Sequence, residues 1–468
     1  MSETISTWAK THFAQTQSGN KSRTKRLVRI AQALASRPGV PLPQAMPDRK
    51  DLKAAYRFFD LPVATHSSLI SNHCRIVRER LQSEPGHYFL IQDKTQADFT
   101  GRQIEGTGPI GDHKGQGFHA QTTLALRVEA PASPGEPWKP VELLGLLHQR
   151  VWVRPADRVP CRKSKENWKQ RLKRSDRESL YWGEAFAGLA PLAPGARATY
   201  IADCESDLAP VLDGSRLGAD MDFIVRIYQS RRLEIGGGSK LLSEALREAP
   251  VLGEIKVEVK ATQGRPARTA GLEVRSVPRA SIARAGAREF GIVELREVDA
   301  DPGVREPIHW KLATTWDVEN LEQCLLVSRA YQLRWIVEEY HKAWKTGTGV
   351  EKAQLKTEPR LEALAAVLAV LAARLLSMKL SLGLMGSEEE ELRIEGILEA
   401  KVGRPEGGWT EREKLRGIAK LGGFLGRKSD GEPGWQSIWR GMIILLDMLE
   451  GYRIALDSAS KVVPSKPG

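Results

Sequence analysis

Two aspartates end short apolar segments of this chain. Asp93 closes the segment HYFLIQD, and Asp203 closes RATYIAD. A carboxylate at the end of a buried strand is poorly solvated and needs a partner, and a metal ion is one such partner. An aspartate that caps a turn or a helix is the common alternative for either residue taken alone. Both positions are therefore candidate metal ligands, with the capping role left open.

A third acid lies in the segment AYQLRWIVEEYHKAWKTG, for which the sequence predicts a helix. One face of that helix would carry, at spacings i, i+3, i+7, i+11 and i+14, the residues Tyr331, Arg334, Glu338, Lys342 and Lys345. Glu339 would be rotated by roughly 100° from that face. A solvated, ion-paired helix face is the alternative, but one acid among three cations is a poor ion-pair design. The pattern suits an acid whose negative charge is balanced by a metal ion, with the neighbouring cations binding a phosphate backbone.

Three separated carboxylates together with basic surfaces predict two-metal phosphoryl transfer. Two Mg²⁺ ions about 3.5–4 Å apart would activate the attacking oxygen and stabilise the leaving one. Mn²⁺ would be able to substitute for Mg²⁺. The prediction assigns Asp93, Asp203 and Glu338 as both the catalytic and the metal-binding residues.

The elements that position these residues are predicted from the order of apolar patterns. Short strands, among them Phe118–Val128 and Val141–Val153, alternate with a helix predicted at Glu166–Leu189, and this alternation indicates an α/β sheet. Residues 228–307 show strand and turn patterns without a helix and are predicted to form a β-rich insertion. One long helix is expected over Asn320–Lys345, and the chain from about residue 360 onward is again helical.

The charge of the chain points to a polyanionic partner. The 468 residues carry 70 Lys and Arg against 58 Asp and Glu, a net charge of +12, and residues 1–60 hold eleven basic residues against four acids. A concentrated positive field attracts nucleic acid, although a merely solubilising surface is the alternative. In a helix predicted at Lys21–Ser36, Arg23 and Arg26 are free to meet phosphates because they lie outside the apolar face of Leu27, Ile30, Ala31 and Leu34.

Several other classes of protein fit the sequence poorly. Four widely separated cysteines give neither a zinc spacing nor a disulfide framework, so they are expected to be reduced thiols in the cytoplasm. The N-terminus shows no apolar signal segment. The most apolar stretch, Ala363–Ala373, is shorter than the ~20 residues that a bilayer needs, so it is predicted to be a buried helix, and no membrane partner is expected. Residues 106–111 match a dinucleotide-binding pattern, but Pro109 within them predicts a plain loop.

The segment YQLRWIVEEYHKAWKTGTGVE resembles the Tyr-Arg-Glu-Lys signature of cut-and-paste DDE transposases of bacterial insertion sequences, in the group that contains the transposase of transposon Tn-five. The likeness includes SRTKRLVRIAQALA and AAYRF near the N-terminus, GLLHQ at Gly145–Gln149, the acidic stretch Asp203–Asp207 and RPAR at Arg265–Arg268. It continues through AKLGGF at Ala419–Phe424 and the helix after Pro433. The resemblance therefore covers nearly the whole chain in order.

This resemblance implies a ribonuclease H-like fold on which Asp93, Asp203 and Glu338 form an Asp-Asp-Glu catalytic triad. It implies that the substrate is double-stranded DNA, both the ends of a mobile element and a target, with cleavage through a DNA hairpin. A larger set would contact the DNA: Tyr331, Arg334 and Lys345 of the signature, Lys342 beside them, Trp310 in a pocket for a flipped base, Arg226, and Arg23 with Arg26 in the N-terminal helix.

By the same resemblance, the chain divides into a helical DNA-end-binding domain at residues 1–70, a catalytic α/β domain at 71–380 and a helical dimerisation domain at 381–468 with a disordered tail. In the last domain an apolar stripe is formed by Trp439, Met442, Ile443, Leu446 and Leu449. A core helix within one chain is the alternative, and the resemblance favours a homodimer on DNA. The expected location is the bacterial cytoplasm, on the nucleoid when DNA is bound.

Three positions depart from the family pattern. Lys94 replaces a small hydroxyl residue, Cys204 replaces a basic residue and Gln121 replaces a histidine. Strand alternation directs Lys94 away from the Asp93 face, and none of the three changes removes a catalytic carboxylate. Two rival functions stay open: a catalytically impaired DNA-binding regulator of transposition, and a nuclease that hydrolyses DNA without joining it.

Overall fold

The fold has helices at both ends of the chain and one large sheet between them. The computed structural model describes residues 4–111, 114–156, 174, 177–187, 189–218, 221–259, 267–283, 287–298, 300, 304, 307–382, 388–427 and 430–462. Most of the helix predicted at Glu166–Leu189 lies outside these residues. In its described part, residues 178–180 and 184–186 form single 3-10 turns instead of a continuous helix.

Five helices form the N-terminal region: Ile5–Phe13 (α1), Lys21–Ser36 (α2), Leu42–Ala45 (α3), Arg49–Phe59 (α4) and His66–Ser83 (α5). Helix α2 begins at Lys21, as predicted, because the Asn20 side chain caps it by accepting a hydrogen bond from the backbone N–H of Arg23 at 2.9 Å. The apolar face predicted for α2 is buried, and it contains Leu27, Ile30, Ala31 and Leu34. Local spacing alone was enough to predict this helix.

Twelve strands form the sheet: His87–Asp98 (β1), Gly108–Ile110 (β2), Gly115–Glu129 (β3), Lys139–Trp152 (β4), Arg197–Ala202 (β5), Asp222–Arg226 (β6), Arg232–Ile235 (β7), Gly238–Leu241 (β8), Val251–Val259 (β9), Arg268–Ile282 (β10), Phe290–Glu297 (β11) and His309–Thr314 (β12). The spatial order is β2-β3-β1-β5-β6-β12-β11-β10-β7-β8, with β4 on β3 and β9 on β10. Strands β1, β5 and β6 are parallel, whereas β3 runs antiparallel to β1. The predicted α/β class is confirmed.

Strand β1 lies at the centre of the part of the sheet that carries the predicted carboxylates. Residues 88–91 are apolar and fully buried, as expected for a strand covered on both faces. The prediction that this strand finishes on Asp93 is wrong, because pairing with β3 continues as far as Asp98 opposite Gly117. Backbone pairing extends the strand beyond its apolar run, and the apolar run was the only signal that the sequence offered.

The β-rich insertion extends the same sheet through β10 and β11, which reach β6 by way of β12. The prediction of an insertion without a helix is wrong. Helix α7, Leu242–Glu248, lies within it, and a shorter helix, α6 (Ala209–Leu212), precedes it in the chain. Helix α7 buries an apolar face and is capped where the Glu244 carboxylate accepts the Leu241 backbone N–H at 3.1 Å. Seven residues are too few to show a clear helical period in the sequence.

Six helices follow the sheet: Leu321–Gln332 (α8), Trp335–Lys342 (α9), Glu358–Leu382 (α10), Glu388–Val402 (α11), Glu411–Leu421 (α12) and Trp435–Val462 (α13). By length and composition Glu358–Leu380 could cross a membrane, but 78% of its most apolar window is buried within the protein. Helix α10 packs against α5 and β4, which accounts for its apolar composition. Helix α13 runs to Val462, into the tail that was predicted to be disordered.

Candidate active site

The first two predicted carboxylates are brought together by neighbouring parallel strands. Gln92 of β1 lies opposite Ala202 of β5, so Asp93 and Asp203 follow at the same level of the sheet. Asp203 also caps the 3-10 turn that follows β5, because its Oδ1 accepts the backbone N–H of Glu205 at 2.9 Å. The capping role left open for Asp203 is therefore real, and it holds this carboxylate at the edge of the strand.

Burial and charge make Asp93 an unusual acid. Its side chain is only 13% exposed. Burial, reinforced by the negative charge of Asp203, raises the pKa of Asp93 to about 7, although the nearby Arg334 guanidinium acts in the opposite direction. Two carboxylates that repel each other in a poorly solvated position favour a cation between them.

Arg334 joins the third carboxylate to this pair. Its Nη1 lies 3.1 Å from Oδ2 of Asp93, and its Nη2 donates to Oε1 of Glu338. The guanidinium is 18% exposed, so both ion pairs are partly shielded from water. The structure thus gathers Asp93, Asp203 and Glu338 as predicted, with a cation of the chain itself between the first and the third.

The helix that carries Glu338 is broken, so the predicted single helix Asn320–Lys345 is wrong. The backbone N–H groups of Leu333 and Arg334 bond to carbonyls three residues earlier, at 3.1 and 2.9 Å, instead of four. Helix α8 therefore ends before this joint and α9 begins after it. Tyr331 lies on α8 and Glu338 on α9.

An aromatic pair lies beside the carboxylates. The rings of Trp310 and Tyr331 meet edge to face with centroids 5.4 Å apart. Tyr331 is buried, and its burial raises the pKa of the hydroxyl, which also responds to the charges of Arg226 and Asp203. Four predicted site residues, Trp310, Tyr331, Arg226 and Asp203, therefore share one neighbourhood.

The predicted lysines do not share the Glu338 face. A π turn over Ala343–Gly347 shifts the helical phase after α9, and Lys345 within it donates to the Gln96 carbonyl on β1 at 3.2 Å. Lys342 lies 2.9 Å from Glu339 and 4.6 Å from the Trp335 ring centre. The prediction that all five signature residues line one face is therefore corrected: Lys345 lies beside β1, and Lys342 pairs with the neighbouring acid.

The three departures from the family pattern leave the carboxylate face intact. Lys94 pairs with Glu205 at 2.5 Å and lies 3.8 Å from Glu178 rather than turning to Asp93, which agrees with strand alternation. Gln121 lies opposite Lys94 on β3 and so belongs to the other face of the sheet. Cys204 is half-buried next to Asp203, whose charge adds to burial in raising the pKa of the thiol.

The donor set fits magnesium in part. Carboxylate oxygens are the ligands that Mg²⁺ prefers, and it commonly takes one or two of them together with water. The raised pKa of Asp93 beside Asp203 is the signature of a pair that a cation would stabilise. Within the described part of the chain no three ligating side chains converge on one point, because Arg334 lies between Asp93 and Glu338. Asp93 and Asp203 thus fit the ion, and Glu338 can join them only if Arg334 moves.

Two segments match known families. Residues 5–62 match the family described as transposase DNA-binding, and residues 378–461 match the transposase Tn5 dimerisation domain. Together the two matches support a Tn5-like transposase. The first match covers α1 to α4 and the second runs from the end of α10 into α13, so the carboxylate cluster lies in the part of the chain between the two matched segments.

In the segment that matches the transposase DNA-binding family, the two predicted arginines differ in their surroundings. Arg26 forms an ion pair with Asp51 of α4, which ties α2 to α4. Arg23 is half-buried, and its guanidinium lies against Gly19, which precedes the helix. Both lie on α2 and neither belongs to the carboxylate cluster.

In the segment that matches the Tn5 dimerisation family, the predicted apolar stripe divides into two parts. Trp439 and Met442 are buried within the same chain, where α13 crosses α12 so closely that Gly441 leaves no room for a side chain against the Ile418 carbonyl. Ile443, Leu446 and Leu449 are only partly buried, and beyond them Tyr452 is 47% exposed. The intramolecular alternative therefore holds for Trp439 and Met442, whereas the stripe residues from Ile443 onward keep apolar surface that a partner could cover.

Sequence reasoning missed a set of buried polar residues that adjoin the cluster: Thr122, Gln149, Tyr340 and His341. Thr122 of β3 lies directly opposite Asp93. The motif GLLHQ, which ends on Gln149, was the signal for that residue, and Tyr340 with His341 lies within the signature segment itself.

Proposed function

We propose that this transposase cuts the ends of a mobile DNA element by two-metal phosphoryl transfer and joins the freed 3′-OH ends to target DNA. The observation that supports the proposal is the meeting of Asp93, Asp203 and Glu338 from two strands and a helix that are distant in sequence. A basic N-terminal DNA-binding domain would hold the end, and the dimerisation domain would bring two ends together.

The strand order supports a ribonuclease H-like catalytic core. In chain order, β1, β3, β4, β5 and β6 lie in space as β4-β3-β1-β5-β6, with β3 antiparallel to β1 and the last two strands parallel to it. The resemblance of the signature segment implies this core, in which the central strand and its parallel neighbour each supply an aspartate. The β10–β11 extension would then be an insertion between the core and α8.

The carboxylates would hold two Mg²⁺ ions, which supply the acid–base chemistry by activating the attacking oxygen and stabilising the leaving one. Asp93 and Asp203 would provide the first set of oxygens, and their mutual repulsion would be relieved on binding. Glu338 would complete the set from α9. Tyr331 and Arg226 lie beside Asp203, where they can orient the phosphate that is attacked.

Arg334 is the residue whose partners must change during the reaction. In the DNA-free protein it neutralises Asp93 and Glu338. A guanidinium binds phosphate with the same two-pronged geometry that it uses for carboxylate. When the phosphate of a DNA end arrives, Arg334 would exchange carboxylate for phosphate and release Glu338. The carboxylate set would therefore be complete only when DNA is present.

Replacing both Arg23 and Arg26 by alanine should weaken binding to element ends and flatten the salt dependence of binding. Each lost phosphate contact reduces the slope of log affinity against log salt by ~0.9. Arg23→Ala should account for more of the loss, because Arg26 is already paired with Asp51. Fluorescence anisotropy over a salt titration measures both effects. The control replaces the exposed Lys401 and Arg404 by alanine, which removes the same number of positive charges. An equal loss of affinity in that control would show that the effect comes from the net charge of the protein.

Replacing Trp310 by alanine should allow the first nick and slow hairpin formation by a factor of ten or more. Extruding a base costs a few kcal/mol, and stacking on an aromatic ring recovers ~1–3 kcal/mol of that. Trp310 is half-buried against Tyr331, so one side of its ring is held while the rest remains accessible. Denaturing gels separate nicked strands from hairpins. An unchanged hairpin yield would show that Trp310 only packs against its neighbours.

One reaction tests the proposed function as a whole: protein, Mg²⁺, element-end DNA and a supercoiled target plasmid. Nicks, hairpins and joined products support the proposal. End binding without any nick would support a catalytically impaired regulator instead, and cleavage without joined product would support a nuclease. Inverted repeats in the DNA that flanks the gene would be the substrate.

A further inference from the structure

Gln149 is the centre of a buried hydrogen-bond network beneath the Glu338 helix. The residue is 2% exposed, on β4. Its amide nitrogen donates to Thr122 Oγ1 at 2.8 Å and to the Tyr340 hydroxyl at 3.2 Å, and its amide oxygen accepts from His66 Nε2 at 3.0 Å. Both amide protons and the oxygen are thus in use, which fixes the orientation of the side chain.

Each branch of this network ends next to the carboxylate cluster or at the DNA-binding region. Thr122 lies opposite Asp93 on the neighbouring strand, and it also contacts His341 Nε2 at 3.1 Å. Tyr340 follows Glu338 by two residues on α9, and its hydroxyl donates onward to the Ala369 carbonyl on α10 at 3.2 Å. His66 is the first residue of α5, just after the matched DNA-binding segment.

The motif GLLHQ brings α5 to this network by a second contact. Gly145 adopts a φ of +130°, and a side chain there would lie 2.5 Å from His73 Nε2. The same His73 nitrogen accepts the Leu146 backbone N–H at 2.9 Å. Both the glycine and the glutamine of the motif therefore lie at contacts between α5 and β4. Of the two, Gln149 also forms a hydrogen bond to α9.

A polar network in this place needs an explanation beyond packing. Apolar side chains could fill the space between α9 and the sheet without the cost of burying an amide. Hydrogen bonds are directional, however. An amide bonded to both the sheet and α9 therefore restricts the distance of α9 from the sheet, and its rotation about its own axis, more narrowly than apolar contacts do. That distance and that rotation determine where Glu338 lies relative to Asp93.

We propose that Gln149 is a positioning residue that holds the Glu338 helix in register with the Asp93 strand and links that register to the first turn of α5. The inference deepens the proposed cleavage function and rests on it. Gln149 touches neither Asp93 nor Glu338. It acts through Thr122 on the β1 side and through Tyr340 on the α9 side.

The test compares Gln149→Met, which keeps the length of the side chain and removes its hydrogen bonds, with Tyr340→Phe, which removes one branch. Each should lower the rate of end cleavage by about 10–100-fold, the usual effect of losing a residue that orients a metal-holding side chain. The double variant should be no slower than the slower single one, because both changes break the same connection. End binding without divalent metal should match wild type.

A second readout does not depend on activity. Hydrogen exchange of the amides in α9 should be faster in Gln149→Met than in wild type, while exchange in β5 and α2 stays the same. The matched control is Tyr88→Phe, which removes another buried hydroxyl, bonded to the Glu84 carbonyl at 3.0 Å at the far end of β1. This control should change neither cleavage nor α9 exchange.

Cleavage by Gln149→Met at the wild-type rate, or unchanged exchange in α9, would overturn the proposal. So would parallel losses of cleavage, end binding and melting temperature, because these would make Gln149 a general stabilising residue. A wild-type protein that never cleaves would refute the proposed function instead. The exchange experiment would still decide whether Gln149 holds α9 in place.

Discussion

Replacing Asp93, Asp203 or Glu338 by alanine should abolish cleavage of element ends and leave binding to those ends intact. Metal ions contribute several kcal/mol of charge stabilisation in phosphoryl transfer, and each 1.36 kcal/mol is a factor of ten in rate, so the loss should be about 1000-fold or more. Binding should survive because Arg23 and Arg26 lie in a separate helical domain. Single-turnover cleavage of labelled DNA and a gel-shift assay measure the two properties.

Glu339 offers the matched control for this experiment, since it is the next residue of the same helix. Its carboxylate lies 2.6 Å from Lys379 Nζ and 2.9 Å from Lys342 Nζ. Burial alone would raise the pKa of Glu339, but hydrogen bonds from the two lysines outweigh burial and lower it. Glu339→Ala should therefore disturb the contact between α9 and α10 and reduce cleavage only mildly. If Glu339→Ala failed to cleave element ends while Glu338→Ala cleaved them, the assignment of Glu338 as the third carboxylate would be refuted.

Removing the second half of α13 should abolish the paired-end complex, and cleavage with it, while single-end binding persists. Two ends of one element call for two active sites, and a two-fold dimer supplies them. A cut before Gly434 would make the same test but would also remove Trp439 and Met442 from the core of their own chain. A chain that stops after Asp447 keeps those contacts and loses the part of the helix that carries Leu449 and the exposed Tyr452 and Ile454. Native gels with one or two labelled ends resolve the complexes.

The truncated protein needs two checks before its result is interpreted. Its melting temperature should stay close to that of the full chain, because Ile438, Trp439 and Leu445 remain packed in place. Its affinity for a single end should be unchanged. Paired-end complexes formed by a stable, truncated protein would place the dimer contact elsewhere in residues 378–461. The wild-type protein should be largely monomeric by itself and should form the dimer only when end DNA is added.

Much of the candidate site could be predicted because its residues carry local signals. Asp93 and Asp203 each follow an apolar run that can only be a buried strand, and neighbouring parallel strands place such positions at one level. Glu338 lies in a segment whose pattern of aromatic and charged residues resembles a known signature. The buried face of α2 also followed from spacing alone, because a helix that covers a core must repeat its apolar residues every three to four positions.

The geometry within the site could not be predicted in the same way. The joint at Leu333 and Arg334 and the π turn at Ala343–Gly347 change the phase of a segment whose sequence is compatible with one straight helix. The joint lies between α8, which packs against β10, β11 and β12, and α9, which packs against β1 and β3. Lys342 and Lys345 consequently lie in different surroundings, although their spacing places them on one face of an ideal helix.

The sequence by itself determined the class of the fold and the basic helical domain at the N-terminus, and it singled out three carboxylates as candidates for the site. Each of these depends on residue type and on spacing within one element. Only the tertiary structure decided that Arg334 lies between Asp93 and Glu338, that Trp439 and Met442 of the α13 stripe are buried in their own chain, and that Gln149 connects α5, β3 and α9. These contacts join residues up to 241 positions apart. No local pattern encodes them, because their energies depend on how separate elements pack against one another.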